Sequence, residues 1–256
     1  MANLIRSEWF KLKRSRVFWL MLGVLLVSAV AYCVLNYMDD PNDGGALNAV
    51  SGMDMFVAGM GGNFYIIKIG VCILAGFFIS SEYSTGTMKR AVTSGNTRSQ
   101  VILAKTSVYL AGSVLTALLF PLASLAAGSL LFGIGTLEGV SSVAEYIVRC
   151  LGLTITVAAA HAAIAALIGT LFNDSGKTIG FGVIFFFFID GVFALVGNYV
   201  PIVKTVYEYS VFSQIIHYTE PALSSRNFLL TTLIPLATSA ALLVLCVLAF
   251  RKKEIK

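Results

Sequence analysis

Six long runs of apolar residues, separated by short polar stretches, organise this chain. They span roughly residues 17–38, 64–80, 101–132, 147–172, 179–196 and 229–250. A hydrocarbon layer about 30 Å thick needs about 20 mostly apolar residues per helix, so each run is read as a membrane span. A helix that is apolar all round gives little periodic signal, and length therefore carries the assignment. Bilayers admit only helices or closed barrels, and the ten-residue alternating segments of a barrel are absent. The pattern predicts an all-α integral membrane protein with one six-helix domain over residues 17–256.

The stretches between the runs are not alike. Residues 1–16 place Ile5, Trp9 and Leu12 at helical spacing on one side and Arg6 and Lys13 on another. This predicts an amphipathic helix lying in the headgroup layer, with Trp9 and Phe10 as its aromatic anchors. Residues 39–63 are rich in Gly, Asp and Asn, include Pro41, and read as an irregular loop. The third run is long enough for extra turns beyond a span, and Pro121 is a candidate kink. Residues 197–228 are too polar to cross and too apolar for a free loop. They predict one or two short helices bounded by Pro201 and Pro221, resting on the outer face or dipping into it.

Composition agrees with the pattern: 57% of residues are hydrophobic and 12% charged, against about 25% charged in soluble domains. The distribution of charge then sets orientation. Arg6, Lys11, Lys13, Arg14 and Arg16 precede the first span; Lys89, Arg90, Arg98 and Lys105 follow the second; Lys177 lies after the fourth; Arg251, Lys252, Lys253 and Lys256 end the chain. The opposite connections hold only Arg149, Lys204 and Arg226, together with Asp39, Asp40, Asp43, Asp54, Glu138, Glu145, Glu208 and Glu220. Both termini are expected in the cytoplasm, and the net charge of +5 is a topology signal rather than a sign of nucleic-acid binding. Ala29-Val30-Ala31 has the form of a signal-peptide cleavage site, but the apolar run continues past it to Leu35, so a span is expected. Cys33, Cys72, Cys150 and Cys246 are scattered through spans without C-x-x-C pairing and read as buried thiols, not as disulfides or a metal site.

The connection over residues 81–100 carries the most distinctive chemistry. Glu82 and Tyr83 end the second span, Gly86 permits a break, and Thr87 onward suits a short helix. Thr97-x-x-Gln100 is a capping box opening the third span. The outcome is a short helix parallel to the membrane, its charges facing water within reach of a soluble partner. The segment EYSTGTMKRAVTSGNTRSQVILAK resembles the cytoplasmic loop of ABC-2 type permeases, the membrane subunits of ATP-binding-cassette transporters. The match rests on Glu82, Gly86-Thr87, Lys89 or Arg90, Arg98 and Lys105, and the basic N-terminus, six spans, long last outer connection and basic tail extend it along the chain. The size is similar to the small permeases of bacteriocin, lantibiotic-immunity and antimicrobial-peptide exporters. The resemblance implies a coupling helix at Glu82, Tyr83, Thr85, Gly86, Thr87, Lys89, Arg90 and Arg98, contacting separate ATPase subunits. It also implies a second permease chain, identical or related, and a place in the cell membrane. ATP and Mg belong to the partner ATPase, with no cofactor in this chain. The substrate class it suggests is amphipathic or hydrophobic, a peptide or drug among the candidates.

Nothing in the chain reads as an ATPase. Gly176-Lys177-Thr178 mimics the end of a phosphate-binding loop, yet Leu171 stands where that motif needs glycine. Lys68 and Asp190 are charges within spans, costly and therefore candidates for a substrate path or an ion pair. His161, flanked by alanines, reads as a hydrogen-bonded packing residue. Two rival readings are a membrane-embedded enzyme acting on lipid or peptide, which lacks a catalytic constellation, and a toxin-sensing or immunity protein that transports nothing.

Overall fold

The computed structural model describes residues 1–38, 51–93, 95–137, 139–140 and 142–253, apart from the side chains of Ser84, Lys89 and Arg90. All regular structure among these residues is helical. A short α1 (Ala2–Arg14) leads into α2 (Arg16–Met38). The second span is composite: α3 (Gly52–Ala75), a π-helical turn (Gly76–Ser80) and α4 (Ser81–Ser84). Then follow α5 (Thr87–Thr93), α6 (Arg98–Phe132), α7 (Val143–Leu171), α8 (Ser175–Gly197), α9 (Pro201–Glu208), α10 (Val211–His217) and α11 (Ser225–Lys252). Six of these helices are long and apolar enough to cross a membrane.

Five of the six spans fall where the apolar runs predict. The second departs from expectation, for it starts at Gly52 rather than near residue 64. Residues 39–50 of the expected loop lie outside the described residues, but 52–63 are helix, not loop. Two of its glycines, Gly52 and Gly59, serve close packing. A Cβ on Gly52 would come within 2.7 Å of the Ser129 backbone nitrogen, and one on Gly128 within 2.6 Å of the Met55 side chain. Small residues let α3 and α6 approach backbone to backbone, as membrane helices do when hydrophobicity supplies no drive between them. Ser51 caps α3, and the Gly52 and Met53 amides donate to the Gly133 and Ile134 carbonyls beyond α6. The start of the helix is thus satisfied inside the protein.

The spans α3 and α7 are the most buried, α2 and α8 the least. An alanine-rich face of α7, from Ala158 to Ala166, lies in the core. Pro121 sits inside α6 without ending it. In the 197–228 connection, Pro201 opens α9, which buries no residue, whereas α10 buries Val211 to Ile215 and inserts into the bundle. The Phe212 ring centroid lies 5.9 Å from that of His161 and 6.0 Å from that of Phe185, and Thr231 donates to Gln214 Oε1 at 2.9 Å.

The π turn is gripped on two sides. Ser80 Oγ donates to the Gly169 carbonyl at 3.0 Å and lies 2.6 Å from Thr178 Oγ1. A Cβ on Gly76 would strike Ile179 at 2.5 Å. Such turns recur at functional positions within helices, and this one fixes the direction in which α4 presents Glu82.

Candidate functional site

At the end of the bundle that carries α1, four charged side chains from three segments converge. Glu8 and Lys11 come from α1, Glu82 from α4 and Lys105 from the third turn of α6. Lys105 Nζ lies 2.6 Å from Glu8 Oε2 and 2.9 Å from Glu82 Oε2. Lys11 Nζ lies 2.6 Å from Glu8 Oε1 and 3.0 Å from Glu82 Oε1. Each carboxylate gives one oxygen to each ammonium, so the four groups close a ring of alternating charge that sums to zero. Lys105 is fully buried and Lys11 is 43% exposed, which leaves the ring dry on one side and wet on the other. Lys105 also donates to the Phe78 carbonyl of the π turn at 3.4 Å, its ammonium 4.5 Å from the Phe78 ring centroid.

Local sequence explains the assembly. Glu8 and Lys11 stand three apart and so share a face of α1. Leu12, on the same side, is buried against Gly112 of α6, where a Cβ would meet Leu12 Cδ2 at 2.9 Å. Burial works against the charge of Lys11, but Glu8 and Glu82 outweigh it and raise its pKa above the ordinary 10.5. The inward face of α1 is therefore Glu8 and Leu12. Of the expected apolar side, Ile5 is exposed and Trp9 half-buried, and Phe10 is exposed as well.

The loop beyond Glu82 is built as the sequence suggests. Gly86 takes a left-handed φ of +68° between α4 and α5, a conformation that suits glycine. Thr85 is exposed, and Thr87 Oγ1 donates to the Glu82 carbonyl at 3.3 Å. Met88 anchors α5, buried with Val101, Ile102 and Phe250. Both hydrogen bonds of the Thr97–Gln100 capping box form. Arg98 Nη1 donates to the Arg251 and Lys253 carbonyls at 3.1 and 2.9 Å, and Lys253 Nζ donates to those of Thr170 and Leu171. Cations thus satisfy the ends of α11 and α7. Burial lowers the Lys253 pKa, and its ammonium sits 4.3 Å from the Tyr83 ring centroid.

Glu82 consequently does not face water as the sequence led us to expect. It is mostly enclosed, held by Lys11 and Lys105. Tyr83 packs on Phe250 with ring centroids 6.0 Å apart, and Arg98 is engaged by carbonyls of its own chain. The Lys89 and Arg90 side chains lie outside the described residues. Glu8 escaped notice as a site residue, although it is the one acid in residues 1–16 and stands three before Lys11.

A second charged group lies within the bundle. Lys68 of α3, 2% exposed, forms an ion pair with Asp190 of α8 and sits 3.7 Å from the Phe64 ring centroid. Tyr207 of α9 donates to Asp190 Oδ1 at 3.4 Å; burial and then the Asp190 charge push the Tyr207 pKa up to about 12. His161 is fully buried with Nδ1 2.9 Å from the Val157 carbonyl, while its Nε2 has no partner among the described residues.

A family model described as "ABC-2 family transporter protein" matches residues 4–189. The matched segment holds the whole charge ring, the loop and Lys68, and stops one residue before Asp190. No individual curated protein matches the chain.

Proposed function

Since the chain belongs to the ABC-2 transporter family, and so is a multi-pass membrane component of an ABC transporter, we propose that it is the permease of an ATP-driven exporter in the cell membrane. In this reading separate ATPase subunits bind the end carrying α1, both termini are cytoplasmic, and a second permease chain completes the pathway. The substrate is amphipathic or hydrophobic, and peptides are the first class to test.

The observation that supports this most is the ring joining Glu8, Lys11, Glu82 and Lys105. A force applied to the loop over Thr85–Thr93 reaches α1 and α6 together, because separating opposite charges in a poorly solvated place costs far more than in water. Gly86 gives the loop its bend, and Met88 ties α5 to the ends of α6 and α11. Nucleotide-driven closure of the ATPases would move loop, α1 and α6 as a unit. Lys68 and Asp190, farther along, are then either a fixed strut or a lining of the path.

The test is reconstitution with the ATPase that co-purifies with the chain, reading ATP hydrolysis and transport of amphipathic peptides. Lys89→Glu with Arg90→Glu should weaken ATPase attachment by about tenfold or more, as expected when a charge-assisted interface contact is reversed. Glu82→Gln should leave attachment in place and reduce transport per ATP, since it loosens the ring behind the docking surface. Wild-type attachment and coupling in both variants would refute the assignment of this loop.

A further inference from the structure

On the face of the bundle where α7 and α11 meet, at the end away from α1, the geometry points to a binding site for a membrane phospholipid with a phosphoethanolamine head. An open groove of about 790 Å³ runs between the two helices, walled by Val148, Leu153, Leu223, Phe228 and Leu229. That volume is in the range of about 300–1,000 Å³ typical of small-molecule sites. At its mouth it meets a small polar pocket of about 80 Å³ beneath Ser142 and Pro221. Glu145 and Arg149 line both spaces, so a polar recess and an apolar channel share one carboxylate and one guanidinium.

The two charges fit a dipolar head. They stand four apart on α7, and such side chains are neighbours about 5–6 Å apart at Cβ. Arg149 is held in place by its Nη2, which donates to the Glu220 and Pro221 carbonyls at 2.5 and 3.0 Å. Its Nε is buried without an acceptor among the described residues, while Nη1 makes no hydrogen bond among them. Since a guanidinium carries five donors, Nη1 is the group open to a ligand. Glu145 is exposed, and its carboxylate makes no hydrogen bond or ion pair among those residues. A phosphate takes the arginine, the ammonium beside it takes the glutamate, and an acyl chain fills the groove. The depth is right as well: Glu145 and Arg149 lie in the first two turns after the Ser142 cap, and Ser225, also lining the groove, begins α11. Helix ends of this kind sit at headgroup level. Val148 is 70% exposed, consistent with a channel open toward surrounding lipid.

Gly152 offers a clean test. It lines the groove, and a Cβ there meets nothing within 4 Å, so Gly152→Leu fills the channel without disturbing the fold. The full chain, purified in mild detergent, is mixed with phosphatidylethanolamine or phosphatidylglycerol of identical chains, and retained lipid is read by native mass spectrometry. Wild type should retain the ethanolamine lipid about tenfold better, the difference one charge-assisted hydrogen bond makes. Gly152→Leu should lose retention of both lipids, and Glu145→Gln should keep retention but lose the preference. Equal retention of the two lipids by wild type, or no change in Gly152→Leu, overturns the proposal. So does efficient cross-linking between two copies through Gly152→Cys in native membranes, which would mean that protein covers the groove.

Discussion

The protein holds buried charge in two ways. In the ring near α1 every ion has two partners of opposite sign, whereas Lys68 has one carboxylate and one aromatic face. The ring has a wet edge at Lys11, while Lys68 has almost no exposure. Redundancy is what separates them. The ring can lose a member and keep each remaining ion beside an opposite charge, but the pair cannot. A joint that must move with a partner protein is better served by the first arrangement, and a fixed strut by the second.

Mutations can break this contrast in graded steps. The largest effect is expected for Asp190→Asn, which strands the Lys68 ammonium beside Phe64 and should destabilise by about 3–5 kcal/mol. Lys68→Met combined with Asp190→Leu should recover most of that, as read by thermal unfolding in detergent. Additive losses in the double mutant would mean that the pair does not act as a unit. Lys105→Met is expected to cost less, about 2 kcal/mol, because Lys11 still touches both carboxylates. Its signature is local: hydrogen exchange should rise over Ala2–Arg14 before the rest of the bundle. Uniform loosening would erase the distinction between ring and pair.

The smallest change is expected at Lys11. Lys11→Gln should cost under about 1 kcal/mol, since that lysine is well solvated. Its folded pKa is raised, so its contribution is complete below the ordinary value of 10.5 and fades as pH climbs through the folded value. Protection of α1 should therefore fall at strongly alkaline pH in wild type, and fall less in Lys11→Gln. Identical profiles would place the alkaline sensitivity elsewhere.

The spans were legible because bilayer thickness sets a length that few other structures need. The start of the second span was not, because Gly52, Gly59, Gly62 and Asn63 look like loop until α6 is laid against them. Lys68 and Asp190 stood out through the cost of charge in a membrane. The loop could be read locally, with its glycine break and its Thr97 cap. The ring could not: Glu8 and Lys105 are 97 residues apart, and a basic N-terminal segment looks like a headgroup helix whether or not one carboxylate turns inward. Pattern shows which residues are unusual; only the packed bundle pairs them.

The separation of Glu8 and Lys105 also sets an order in time. During synthesis α1 emerges before the helix it packs on, and at about 5–20 residues per second its partner lysine follows about 5–20 s later. Until then Glu8 has Lys11 alone, and the helix has no seat, because Gly112, which receives Leu12, emerges later still. A nascent chain that stalls before its third span cannot close the ring. This helix therefore settles only after the third span has followed it, and its docking records that the ribosome has delivered half of the spans.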